Sequence, residues 1–283
     1  MSVAYVSQKE ASSSSAGTPL AVDKPTSLAV GDLMVAFLYG GCNVGDWATL
    51  SGWTKIGAAA TIDNGDANLT VLAKIATSGD VAASNFTFTP NAAHEEKRGI
   101  IVRVTGDFTG GIAALVASDF QDNANDTASP GLTPIGINSL LFMGIISGTN
   151  TTASAYAVTN NNPSWTERAN AAEGGAVPMS YALASATYAS IAATGDFSWS
   201  ISSTLEGVCL ISISETVNVS PAPAVIGVVA SIQAPAVTAG ATVSPAVISM
   251  VASIQAPAVT AGESKWQNDT KPSPGTITNE SKT

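Results

Sequence analysis

Gly31-Asp32-Leu33-Met34-Val35-Ala36-Phe37-Leu38-Tyr39, closed by Gly40-Gly41, is an apolar run of strand length started by a Gly-Asp turn. It is too short, and too tightly bounded by turns, for a helix, so it predicts a strand buried on both faces. The same form returns later as Asn138-Ser139-Leu140-Leu141-Phe142-Met143-Gly144-Ile145-Ile146, closed by Ser147-Gly148.

The segments downstream of these two strands recur too. Gly52-Trp53-Thr54-Lys55 is matched by Ser164-Trp165-Thr166-Glu167-Arg168, and Val71–Ala76 by Ser180–Ala184. Phe86-Thr87-Phe88 is matched by Phe197-Ser198-Trp199, and Gly99–Val104 by Gly207–Ser212. The order is kept and the offsets run from 107 to 112 residues. Such self-similarity indicates an internal duplication, and it decides how every other segment is placed.

Strands are predicted near 33–39, 53–60, 69–76, 85–89 and 99–105 in the first half. In the second they fall near 138–146, 155–159, 164–170, 178–185, 196–202 and 206–214. Val3–Ser7 and Ala113–Ser118 are weaker strand candidates. Lys9–Ser27 reads as a loop or an irregular edge, Ser118–Ser129 and Asn91–Lys97, which carries His94, as polar loops, and Asp63-Asn64-Gly65-Asp66 as a hairpin turn. Glycine-bounded strands without a helical period predict an all-β protein. The expected fold is an antiparallel, jelly-roll-like β-sandwich over residues 1–215, built from halves at about 20–110 and 130–215. One sandwich drawn from both halves is preferred to two in tandem.

The composition limits function. Charged residues make up 11% of the 283-residue chain, against roughly 25% in ordinary soluble domains. Such a surface suits a protein covered by copies of itself or by partners. A net charge of −10 without a Lys/Arg cluster argues against nucleic-acid binding. The apolar runs fall short of membrane-spanning length. Met1-Ser2-Val3-Ala4-Tyr5 has neither a basic start nor a signal-peptide core, which predicts synthesis in the cytoplasm without a Sec-type signal. Cys42 and Cys209 have no zinc or redox spacing and read as two small buried hydrophobes, a disulfide between them being the alternative.

At Glu215 the character changes. The 47 residues from Thr216 to Gly262 carry no charge. Ala224–Gly240 and Ala246–Gly262 are near-identical copies at a period of 22, and Pro-Ala-Val recurs from Pro223, Pro235, Pro245 and Pro257. A repeat of this kind signals a one-dimensional element. Val225, Ile226, Val228, Val229 and Ile232, with Val247, Ile248, Val251 and Ile254, would be exposed on a lone strand, and such apolar surface normally meets a partner. The arm either packs along the sandwich or winds with other copies into a shaft, a homotrimer being favoured; a Pro- and Ala-rich linker is the alternative. Residues 263–283 form a polar tail whose Trp266 is a candidate anchor.

Gly31–Phe37, Gly52-Trp53-Thr54, Leu72–Ala76, Phe86-Thr87-Phe88 and, in the second half, Trp165-Thr166-Glu167, Phe197-Ser198-Trp199 and Val208–Ile213 resemble β-sandwich modules of tailed-phage and prophage structural proteins and of some large bacterial surface proteins. The repeats and the Trp/Asn/Lys tail look like the ends of phage fibre proteins. The resemblance implies a virion structural role, as a tail fibre or appendage joined to itself and to other virion proteins. A head-decoration protein, and a bacterial adhesin or carbohydrate-binding module, are the alternatives. It carries over no active site.

Residue chemistry predicts no enzyme and no cofactor. A single histidine argues against a catalytic triad or a His-rich metal site, and no Gly-x-Ser-x-Gly, P-loop or dinucleotide motif is present. Glu95, Glu96, Glu167, Glu173 and Glu206 are carboxylates without a pairing pattern. Asp63 with Asp66, and Asp119 with Asp122 and Asp126, are weak calcium candidates that Asx turns explain equally well. Trp47, in a loop, is the candidate ligand surface and a host-surface glycan the corresponding partner, whereas Trp53 and Trp165 are expected to be equivalent buried core residues.

Overall fold

The computed structural model describes residues 3–41, 46–62, 67–91, 96–114, 116–124, 127–128, 131–148, 151–173, 179–201 and 206–214. The chain divides after Pro223, and every described residue belongs to the first unit. The arm and tail, including Val225, Ile226, Val229, Ile232, Val247, Ile248, Val251, Ile254 and Trp266, lie outside the described residues, as do Asp63, Asp66, Asp126, His94 and Cys42.

The first half contributes β1 (Ala4–Ser13), β2 (Leu20–Asp23), β3 (Leu33–Gly41), β4 (Thr54–Ile62), β5 (Ala67–Ile75), β6 (Asn85–Phe88) and β7 (Glu96–Thr105). The second contributes β8 (Val116–Ala124), β9 (Thr127–Ala128), β10 (Ser139–Ser147), β11 (Ser154–Val158), β12 (Thr166–Glu173), β13 (Met179–Tyr188), β14 (Phe197–Ser200) and β15 (Glu206–Ile213). Two five-stranded antiparallel sheets result, ordered β1-β7-β3-β5-β4 and β8-β15-β10-β13-β12. Taken half by half these orders are the same, so the repeat seen in sequence is a repeat of topology. The turns entering the central strands agree: Gly31 and Asn138, which both precede a central strand, have φ of 91° and 54°, a left-handed conformation that Gly and Asn tolerate best.

The two large sheets pack face to face, which makes the protein an all-β sandwich. Alternate residues of β3 (Leu33, Val35, Phe37, Tyr39) meet Leu140, Phe142 and Ile146 of β10 and Cys209, Ile211 and Ile213 of β15 in one core. The period of two also explains why β3 and β10 read as continuous apolar runs. Their other residues face outward and are covered as well. In the first half β2 pairs with β6, and Leu20, Val22, Phe86 and Phe88 close over Met34, Ala36 and Leu38. In the second half a small sheet β11-β14-β9 lays Val158, Phe197 and Trp199 over Leu141, Met143 and Ile145.

Lys9–Ser27, read as a loop or an irregular edge, is in part an edge, since β1 runs on to Ser13 and β2 comes next. One expectation needs correction. Ser118–Ser129 is largely β8 rather than a loop. Both long strands are sheet edges, where charged and polar residues are tolerated and discourage further pairing, so their sequences lack a strand's usual apolar content. Helix is confined to short pieces among the described residues, the α-helix being α1 (Ser78–Ala82). Thr77 and Asp80 form its capping box, and Lys74 Nζ donates to Asp80 Oδ1 at 2.6 Å.

Cys209 is a free thiol with no exposure. Burial pushes it up to about 12, so at neutral pH it is a small hydrophobe rather than a nucleophile. In a Cys42→Ser variant, a thiol reagent at pH 8 is expected to label nothing in the native protein and one thiol in denaturant. Rapid native labelling would show that the core opens at β15.

Candidate functional site

The tryptophan placed at the surface from sequence is internal. Trp47 is 1% exposed and packs among Leu38, Trp53 and Phe88. A bridge to Pro90 fixes its backbone at the place that β11 occupies in the other half. Trp47 therefore belongs to the outer layer of the first half and offers no ligand surface. Trp53 is 5% exposed, as expected, with its ring edge-on to Phe86 and Phe88 at 5.5 and 5.4 Å. Trp165 starts the equivalent strand but is half-buried, stacked loosely on Tyr156 and donating to Asn162 Oδ1 at 3.1 Å. Trp199 fills the core volume in that half.

Among the described residues the acidic candidates form no group. Asp119 and Asp122 both lie on β8, whose register with β15 shifts between Gln121 and Ala124. Asp119 accepts from Gln121 Nε2 at 3.0 Å, while Asp122 is exposed. Among the described residues no three His, Cys, Asp or Glu side chains are grouped to hold a metal ion. Glu206 is fully buried at the start of β15, and Glu167 bonds Asn170 and Tyr156 instead of facing a second carboxylate.

Side chains from distant parts of the chain converge at the seams between the halves, and the duplication creates two of them. At one seam β4 meets β8: Gly57, at φ 61°, lies under the Phe120 ring, so close that a Cβ there would fall 2.5 Å from the ring carbons. At the other, related by the duplication, β12 meets β1. Here the Arg168 guanidinium sits 3.8 Å over the Tyr5 ring, Arg168 Nε donates to Ser185 Oγ at 2.8 Å, and Gln8 Nε2 donates to the Arg168 carbonyl at 2.8 Å. Beside this pair is an open cavity of about 640 Å³. Its walls are Ser164, Thr166 and Arg168 from the entry to β12, Ser185 and Thr187 from β13, and Asn138 ahead of β10. Val3, Ala186 and Leu140 form its apolar part. Burial raises the Tyr5 phenol, and the adjacent Arg168 charge opposes that rise; Tyr5 stays a neutral donor, to Gln8 Oε1 at 3.3 Å. Sequence reasoning passed over Arg168 because one arginine on a strand carries no motif.

A smaller recess of about 370 Å³ lies at the same end of the first half, between Val30–Asp32 and Thr105–Thr109. Asp32 there is engaged by Arg103 Nε at 2.7 Å and by the Ala29 amide at 2.7 Å, so its charge is already satisfied.

No protein-family model, no curated protein and no solved structure matches this chain.

Proposed function

We propose that the protein is a structural component of a phage or prophage virion, a fibre or appendage subunit that displays the sandwich and assembles through its C-terminal repeats. The observation that carries this is where the chain leaves the sandwich. Ser214, the last described residue, is held by the Gly136 amide, which donates to its Oγ at 3.0 Å, and by Ser139 Oγ at 2.7 Å. Ile135 and Ile137, which flank that anchor, are 45% and 64% exposed. Two residues further on begins the uncharged stretch Thr216–Gly262. An apolar rim at the root of an apolar, repetitive arm supports association with other copies at this end.

The sandwich supports the same role. Two halves fused in one chain share a continuous core, and a rigid β-module of this kind suits display. A head-decoration subunit and an adhesin are the competing roles. Deleting 216–283 is expected to leave a folded monomer, while the full chain sediments as an oligomer, a trimer by preference. Analytical ultracentrifugation of the two proteins checks this. If both are monomers, or both form the same oligomer, the arm is not the assembly element. Electron microscopy of particles carrying labelled protein then separates a tail location from a head location.

A further inference from the structure

We propose that the open seam between β1 and β12 is a binding site for a carboxylate-bearing saccharide, with Arg168 as the residue that takes the carboxylate. This stands apart from the assembly role, since it concerns the sandwich alone.

The duplication supplies the internal control. Where the related seam brings Phe120 against Gly57 it leaves no room even for a methyl group, and by strand register Phe120 stands at the level of Glu10. At the level of Tyr5 that seam carries Val116. Arg168 is the extra residue of a bulge between Glu167 and Ala169, and β4 has none between Lys55 and Ile56, so an arginine stacked at this seam is not demanded by the fold.

The chemistry of the departure is specific. Arg168 is half-buried, and Tyr5 and Ser185 fix its orientation by stacking and by a bond to Nε. That leaves the two terminal nitrogens of the fork. Among the described residues no carboxylate pairs with Arg168; the nearby Glu10 is taken by Arg98 at 2.6 Å and by Gln8. A planar, pre-oriented guanidinium matches a carboxylate through two parallel hydrogen bonds. Around it stand neutral groups that both donate and accept: the exposed Ser164, Thr166, Thr187 and Asn138. Such a set suits the hydroxyls of a sugar ring, and Leu140 and Ala186 supply an apolar patch for its carbon face. A volume of about 640 Å³ admits one to two sugar rings.

The test uses the full chain and trigalacturonate, with neutral galactotriose, inorganic phosphate and a triglutamate peptide as comparisons, in isothermal titration calorimetry. Saturable binding of trigalacturonate is expected in the range of about 1 mM or tighter. Galactotriose should bind at least about tenfold more weakly, the worth of one charge-assisted pair. Arg168→Gln should lose about tenfold or more. Because Arg168 also stacks on Tyr5, Thr187→Glu provides a second variant: it sets a like charge on an exposed rim position and should weaken binding equally while leaving the thermal midpoint unchanged. Absence of saturable binding, or equal binding by Thr187→Glu, overturns the site. Equal affinity for galactotriose overturns the carboxylate, and displacement of the sugar by phosphate or triglutamate at similar concentration overturns the saccharide.

Discussion

Phe37→Ala is expected to destabilise the sandwich by about 3–5 kcal/mol, the range for removing a fully buried ring. Phe37 lies at the centre of the interface between the two large sheets, with its ring 5.7 Å from that of Phe142. Facing it from the other half is Gly144, where an added Cβ would come 3.0 Å from Cys209 Sγ, 3.1 Å from Leu69 Cδ2 and 3.3 Å from Phe37 Cδ1. A large residue on β3 thus meets an empty position on β10, and the halves fit because they differ there. Gly144→Leu should accordingly cost about 1–3 kcal/mol or more by overpacking. In the Phe37→Ala background the leucine has a vacated volume to enter, so the double variant should be more stable than the sum of the two losses predicts. Urea unfolding of the four proteins measures the coupling. Strict additivity would mean that the two positions do not share a packing site.

That complementarity was half visible in the sequence. The duplicated apolar runs, their glycine boundaries and the paired Trp-Thr and Phe-x-Phe or Phe-x-Trp segments located the central strands to within a few residues, because strands buried on both faces carry an unmistakable composition. The edges were obscured for the opposite reason. Ala4–Ser13 and Val116–Ala124 bury little and are solvated along one side, so Gln8, Lys9 and Glu10, or Asp119, Gln121 and Asp122, look like loop residues. Helix α1 has a legible capping box in Thr77-Ser78-Gly79-Asp80, but its five residues are too few to show a period.

The candidate site was less legible still. A tryptophan in a loop suggested a ligand surface at Trp47, but a tryptophan between two sheet layers is the most economical way to fill such a volume, and Trp47 does that. Arg168 became visible when β12 was laid against β1, a juxtaposition of residues 160 positions apart in sequence, as the Gln8 to Arg168 bond records. Pairings across a sandwich depend on how the halves dock, and local sequence does not encode that.

Trp53→Ala is expected to cost about 3–5 kcal/mol, and Trp165→Ala about 1 kcal/mol, although the two residues open equivalent strands in the same Trp-Thr context. The difference lies in the cover over each ring. Trp53 is enclosed by Phe86 and Phe88, both edge-on, within the outer core of the first half; deleting it leaves a cavity that two sheets hold open. Trp165 rests on Tyr156 at 6.5 Å and is tied to Asn162, whose Oδ1 also accepts from the Val158 amide and so keeps the loop in place without the indole. The core volume beneath is filled by Trp199 and Tyr188. The Trp53 indole N–H has no acceptor among the described residues, so Trp53→Phe should recover much of the loss by keeping the ring contacts and removing an unpaired polar group. Denaturant midpoints of the three variants order as Trp53→Ala lowest, then Trp53→Phe, then Trp165→Ala near the parent. Equal losses for the two alanine variants would mean that the second half depends on its tryptophan as the first does, and that the outer layers of the duplication have not diverged in the way their packing indicates.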